Sequence, residues 1–482
     1  MTHRVAGAPL DFAALRNELE VPGDFASDVL DEAARSIAAV ALPDEDATDI
    51  PFVTIDPAGS RDLDQAVHIA RDGDGYLVSY AIADVAAFVP AGSSLDADTH
   101  RRGETLYFPD ARVLLHPSIL SEGAASLLPG QVRPAAVWQI ALAADGAVRS
   151  SAVHRARVRS TAQLEYAGVQ AALEVGALPA PIAALPDVGR ARMALARARH
   201  AIDLDLPEQV VERAGGGYAL ALRTQLPVER YNAEISLLTG MCAAAMMLAG
   251  GIGILRTVPS PDQHVISSLH RAAHALGIRW PDGEPPGDVL DSIDRTRPKH
   301  FAFVEHAAAL LRGARYTSFD GTAPQEQEHT GIGAPYAHVT APLRRLVDRY
   351  GTEICLAITA GQPVPEWVRA VLPELPDIMQ RADHLAHEVD RAVVDTTEAW
   401  LLRDRIGEVF DAVVIDADEH AGTVVLDTPP VRGRCDGDRF AIGERIRVRL
   451  VTADVAGREI RFERAGSDHE APRENGRSGA AQ

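Results

Sequence analysis

Lysine is all but missing from this chain: Lys299 is the only one, so 46 of the 47 basic residues are arginines. Cysteine is also scarce. Cys242, Cys355 and Cys435 lie far apart and form no Cys-x-x-Cys pair, which argues against a disulfide framework or a zinc site and fits a reducing compartment. Aromatic residues make up only 5%. Positive charge is in deficit, with 47 basic against 68 acidic residues and a net charge of −21. That balance argues against a blanket nucleic-acid coat, although not against a locally basic channel. The N-terminal MTHRVAGAPLDF has no apolar signal core. Long hydrophobic runs are missing too, with one exception. Residues 235–255 carry no charge over 21 positions, long enough to span a bilayer. The run is rich in Ala and Gly and is headed by Glu234, so it reads as a buried helix followed by a glycine turn. A soluble, cytoplasmic protein with no membrane span and no disulfide partner is expected.

What remains is ample for folding. The 482 residues are 46% hydrophobic and 24% charged, close to globular averages and enough for about three domains. Residues 1–48 read as a short helical acidic segment, with Phe12, Leu15 and Leu19 at helical spacing. The first 50 residues hold 11 acids and three arginines, a balance of −8. From Pro51 strands and helices mix: FVTID and YLVSYAIADV read as strands, 187–201, 265–276 and 377–405 as helices. Short strands with glycine turns follow, as expected of a five-stranded OB-like barrel over 406–465. The Gly/Ser/Glu/Arg-rich end, 466–482, reads as a disordered tail. The fold class is α+β, with a mixed sheet surrounded by helices over 49–405 and an all-β barrel after it.

Chemistry concentrates in two places. In FVTIDPAGSRDLDQ, Asp56 ends a strand, a loop containing Gly59 follows, and Asp62 and Asp64 fall at i and i+2, so extended backbone points both to one side. Three carboxylates offer hard oxygen ligands suited to Mg²⁺, with Mn²⁺ also possible. A bare Asp-x-Asp is more often a solvated turn. In YAHVTAPLRR, Pro342 suits the first position of a helix capped by Thr340 or Ala341, with Leu343, Leu346, Val347, Tyr350 and Ile354 on its buried face. Arg344 and Arg345 then stand at the amino end, where free N–H groups and the dipole favour phosphate. Two arginine stripes, Arg155/Arg157/Arg159 and Arg445/Arg447/Arg449, read either as solvated strand faces or as phosphate tracks.

These segments occur in one order with others: AIADVAAFV, RGETLYFP, LLHPSILSEGAASLLPGQVRP, RSTAQLEYAGV, AIDLDLPE and AEISLLTGMCAAAMM. Together the series resembles the ribonuclease II/R (RNB) family of 3′→5′ exoribonucleases. The resemblance covers about residues 50–400 and, more loosely, the barrel. It implies a divalent-metal hydrolase that degrades single-stranded RNA to nucleoside 5′-monophosphates. By resemblance Asp56, Asp62, Asp64 and Gln65 hold metal, and Asp64 and Arg344 carry catalysis. Tyr107, Tyr166, Tyr336, His338, Arg345 and Glu234 touch RNA. Three departures stand out. Gln65 replaces a fourth acid, Leu204 occupies a place often held by phenylalanine, and Ala341 replaces a serine. About 50 residues precede the catalytic region, too few for the cold-shock-type barrels of larger members, so a weaker grip on RNA is expected. The alternative is a catalytically weak or inactive RNB-fold RNA-binding protein, motivated by Gln65. Protein partners are not specified by the sequence.

Overall fold

The structure is a computed structural model that describes residues 10–214, 217–295, 297–418 and 420–465. The expected disordered tail, 466–482, lies outside the described residues, as do the first nine residues.

Two closed five-stranded barrels organise the chain. The first comprises β1 (Phe52–Asp56), β2 (Gln65–Asp72), β3 (Gly75–Ala83), β4 (Val132–Leu142) and β5 (Val148–Glu165). Neighbours are antiparallel except where the barrel closes: β1 runs parallel to β5, with Asp56 opposite Glu165. The β2–β3 connection turns at Gly73, whose φ of 56° suits a tight hairpin. The strands are covered on both sides, which explains why YLVSYAIA runs apolar instead of alternating. Period two still sorts the side chains. Tyr80 and Ile82 face one core with Val53, Ile55 and Trp138, while Ala81 and Ala83 face a second with Phe52, Leu63 and Ala66.

Helix α1 (Pro227–Gly250) contains most of the uncharged run. It starts at Pro227, where Glu229 accepts from the Leu226 N–H at 2.7 Å, and ends at Gly251 in the left-handed region. It is long and apolar enough to cross a membrane by composition. In this fold, however, Ile235, Leu238, Ala243, Ala244 and Met247 are buried in the first core, together with Tyr350 and Ile354 of α2 (Leu346–Thr359). The last long helix, α3 (Leu375–Leu402), stops three residues short of the expected end.

The C-terminal barrel, β6 (Val409–Ala417), β7 (Ala421–Leu426), β8 (Arg432–Asp436), β9 (Arg445–Asp454) and β10 (Glu459–Arg464), closes in the order β6-β7-β8-β10-β9. Phe410 and Phe462 meet edge to face inside it. Trp400, Leu401 and Leu402 from the end of α3 join the same core, so the barrel is docked on the helix. The acidic lead is packed as well. Phe12 and Leu15 are buried with Phe108, Tyr218 and Val393. Arg16 makes a bidentate contact to Asp110, and Glu18 pairs with Arg458 at the barrel.

At least four of the six stripe arginines have carboxylate partners. Arg155 pairs with the buried Asp84 and Glu353, and Arg157 holds Asp46 and the carbonyls of Pro43 and Asp44. On the barrel Arg445 pairs with Asp427 and Arg449 with Glu463.

Gly240, inside α1, marks the closest approach to the segment containing Tyr336. A Cβ there would stand inside the Tyr336 ring and 2.6 Å from the Ala337 carbonyl oxygen. Alanine would gain about 1 kcal/mol of helix propensity, but overpacking against backbone costs about 1–3 kcal/mol. Gly240→Ala should therefore lower stability in chemical denaturation; an increase would contradict this packing.

Candidate active site

The carboxylate turn is fixed by what lies between the acids. Leu63 is fully buried in the second core. Its N–H donates to Ser126 Oγ at 3.0 Å, its carbonyl accepts from the Leu127 N–H at 3.0 Å, and the Asp64 carbonyl accepts from the Ala83 N–H at 2.9 Å. With Leu63 held inward, Asp62 and Asp64 turn together toward a cavity of about 820 Å³. Asp56, Gln65, Tyr107, Arg112, Tyr166, Asn232, Tyr336 and Arg344 also line it.

Each carboxylate has a different environment. Asp64 is 5% exposed; one oxygen accepts from the Leu343 N–H at 2.7 Å and the other lies 3.7 Å from Arg344 Nε. Burial holds its carboxyl well above the ordinary range, opposed by Arg344 and the Leu343 N–H. Asp56 is pushed up to about 6, mainly by burial, with the Asp62 charge adding to it. Its buried Oδ2 has no hydrogen-bond partner. Asp62 is held by Arg112 at 3.1 Å and lies 3.4 Å from the Tyr107 hydroxyl.

The arginine segment differs from the sequence expectation. The helix starts at Leu346, not at Pro342, and Pro342 to Arg344 form a turn. The reason lies in packing: Leu343 is buried in the second core, whereas Leu346, Val347, Tyr350 and Ile354 join the first. One helix face cannot serve both. The turn leaves the Leu343 N–H free to reach Asp64. Arg344 is 43% exposed and faces the cavity, while Arg345, part-buried at the same wall, grips both oxygens of the fully buried Asp348. Residues 103–105 dock alongside: Leu346 N–H donates to the Gly103 carbonyl and Thr105 N–H to that of Arg344. Tyr107, 45% exposed, is thereby set beside Arg344.

Tyr166 reaches the same cavity because it directly follows Glu165, the register partner of Asp56; Asn232 donates to its hydroxyl at 3.1 Å. Tyr336 lines the cavity but is 6% exposed. Arg345 also lines this cavity, whereas His338 and Glu234 do not. His338 is part-buried, lies 2.7 Å from the Tyr316 hydroxyl, and is held well below the ordinary histidine range by desolvation and neighbouring arginines. Glu234 lines an adjoining cavity of about 230 Å³ that shares Gln225, Ala233 and Leu237 with the first. Its carboxyl is raised by burial, and one oxygen lacks a partner. Leu204 packs into a separate core with Leu269 and Phe303.

Two groups at the site escaped the sequence reading. Arg112 lies across a two-residue hairpin from Tyr107, and the Pro-Asp turn between them was the available signal. Glu104, beside Arg345 and Asp383, is raised to about 7 by burial; it lies within RGETLYFP, but nothing local signals that it is buried.

Among the described residues, no three His, Cys, Asp or Glu side chains converge closely enough to hold an ion as they stand. The donor chemistry nevertheless suits one. Asp56 presents an unengaged buried oxygen next to the like charge of Asp62, and a divalent ion relieves that combination. Gln65 is less available, because both ends of its amide are bonded to the protein.

Comparison with known proteins places this geometry. Residues 44–356 match the RNB domain, and residues 408–465 match the RNase II-type exonuclease C-terminal S1 domain. The chain belongs to the RNB family. RNB relatives include Exoribonuclease 2 of Edwardsiella piscicida, 27% identical over 78% of this chain and 59% of that protein. Ribonuclease R of Aquifex aeolicus is 26% identical over 85% and 63%. The chain thus spans about three fifths of the length of these relatives. In fold it resembles Mycoplasma genitalium RNase R solved with ribose methylated single-stranded RNA (TM-score 0.85, 19% identity, 94% and 77% coverage). It also resembles yeast Ssd1, described as a pseudonuclease (TM-score 0.67, 16% identity, 88% and 53% coverage).

The raised Asp56 carboxyl has a pH signature. The fold favours its neutral form, so its contribution to stability is full below about 3.8 and is lost as pH rises through about 6. A cation must displace that proton. Mn²⁺ affinity, measured calorimetrically, should rise about tenfold or more from pH 5 to pH 7, and Mn²⁺ should raise the melting temperature more at pH 7 than at pH 5. In Asp56→Asn the affinity should fall and the step near pH 6 should vanish. A flat profile for the unmodified chain would count against Asp56 as a ligand.

Proposed function

We propose that this RNB-family chain is a hydrolytic 3′→5′ exoribonuclease that shortens single-stranded RNA to nucleoside 5′-monophosphates, with Mg²⁺ or Mn²⁺ held by Asp56, Asp62 and Asp64. One observation carries the reading: Asp64 and Arg344 stand 3.7 Å apart in a cavity walled by Tyr107 and Tyr166. A bound divalent ion supplies Lewis acidity toward the phosphodiester. The protein's own groups do the rest. Leu343 N–H fixes the orientation of the Asp64 carboxylate. Arg344, half exposed and without a close bidentate partner, offers its fork to the scissile phosphate and to the charge that develops on it. Tyr107 and Tyr166 stack terminal bases, a contact that tolerates any sequence. Glu234, in the adjoining cavity, meets the end of the strand; Tyr336, His338 and Arg345 act from beneath, supporting the arginine turn. The three free, buried thiols accord with a reducing cytoplasm.

A second reading, an RNA-binding protein with little or no hydrolysis, is favoured by Gln65 and by the absence of an assembled ligand cluster among the described residues. The two separate in one assay. RNA labelled at its 5′ end should shorten stepwise from the 3′ end with Mg²⁺ or Mn²⁺, and not with EDTA or in Asp64→Asn. Arg344→Ala should lower kcat about 10²–10³-fold, and Tyr166→Ala should weaken RNA binding by about 1–3 kcal/mol. RNA that is bound but stays intact across a full metal titration would establish the second reading instead.

A further inference from the structure

Gln65 follows the last carboxylate and opens β2. Its Nε2 donates to the Thr340 carbonyl at 2.8 Å. Its Oε1 accepts from the Tyr80 hydroxyl and lies 3.3 Å from Ser236 Oγ. This orientation is dictated by chemistry. Thr340 offers only an acceptor here, so the NH₂ must face it, which leaves the oxygen toward two hydroxyls able to donate. Thr340 and Tyr80 are 3% and 1% exposed, so water does not readily substitute for these bonds.

Thr340 opens the turn that presents Leu343 and Arg344. Consecutive residues of the carboxylate strand therefore hold that turn at two points: Gln65 at the Thr340 carbonyl and Asp64 at the Leu343 N–H, the latter at 2.7 Å. With the Ala341 N–H bonded to Asp348 Oδ1 at 2.6 Å and the Thr105 N–H to the Arg344 carbonyl at 3.0 Å, these attachments fix the rotation of the turn and hence the aim of Arg344.

We infer that Gln65 is a positioning residue that tethers the Arg344 turn to the carboxylate strand, and that it is not a metal ligand. The catalytic consequence rests on the exoribonuclease reading; the tether does not. A carboxylate at position 65 has no proton for Thr340 and sets negative charge against a buried carbonyl oxygen, an arrangement that costs more than a missing bond. The amide is thus the group this turn requires, not a weakened acid.

The test compares the full chain with Gln65→Met, Gln65→Glu and Tyr80→Phe in three measurements. Bound Mn²⁺ is counted by electron paramagnetic resonance. Hydrogen exchange is followed at the amides of Ala341, Leu343, Arg344 and Arg345, Pro342 having none. Steady-state kinetics are measured on single-stranded RNA. Gln65→Met should bind as many Mn²⁺ per chain as the parent. Its amides at these positions should exchange about tenfold faster, and kcat should fall about tenfold with KM within about threefold. Gln65→Glu should gain no Mn²⁺ and lose at least as much kcat. Tyr80→Phe, which keeps the ring and removes one donor, should shift the same readouts less; it keeps the tether testable should the Met variant not fold. An extra Mn²⁺ in Gln65→Glu, or a Mn²⁺ lost in Gln65→Met, would make position 65 a ligand and overturn the inference. Unchanged exchange in Gln65→Met would overturn the tether. Should the parent chain leave RNA intact, only the exoribonuclease reading falls, and ion count and exchange still decide the role of Gln65.

Discussion

The site depends on one hydrogen bond, from the Leu343 N–H to the Asp64 carboxylate, which joins residues 279 positions apart. A bond to a charged group is worth about 1.5–3 kcal/mol, and here it also satisfies an acid almost wholly removed from water. Without it Asp64 would face only Arg344, and the arginine turn, still held by Gln65, Asp348 and Thr105, would lose its direct bond to the carboxylates. The bond exists because Leu343 and Leu346 belong to different cores. The backbone has to cross from one to the other, and that crossing exposes an N–H which a helix starting at Pro342 would have directed elsewhere.

The excess of acid is reconciled with the proposed phosphate site by the way arginines are used. Arg155, Arg157, Arg345 and Arg349 are engaged by Asp84, Asp46, Asp348 and Asp96 as ties between elements. Arg344 differs, since its nearest carboxylate is 3.7 Å away and its side chain is half exposed. A charge total says little about such a surface. What matters is which guanidinium groups already have a carboxylate at hydrogen-bonding distance.

Much of this was legible in the sequence. The strand ending at Asp56, the shared side of Asp62 and Asp64, the buried nature of the uncharged run and the five short strands at the end all follow from local periodicity, and the structure agrees. Readings failed where tertiary contacts override a local rule. Proline at a first helical position is a sound preference, yet Leu343 is claimed by a distant core. The arginines of the first stripe alternate as an open strand face would, but Arg157 meets Asp46 of the acidic lead and Arg155 meets Asp84 and, from α2, Glu353. Arg345 could have been read more closely, since Asp348 stands three residues on, where an ion pair forms readily. Nothing local reveals that the Gln65 amide meets a carbonyl at Thr340.

The order in which these parts leave the ribosome carries a consequence of its own. The first barrel closes by a parallel pairing of β1 with β5, and Asp64 waits for an amide 279 residues later. Such separations make for slow folding. At about 5–20 residues per second, Leu343 is synthesised roughly 15–60 s after Asp64. Through that interval the nascent chain carries its acids without the turn that aims Arg344. A product of stalled translation, or a proteolytic fragment lacking residue 343, has the same deficiency, so the bond that joins the arginine turn to Asp64 forms only in chains synthesised past Leu343.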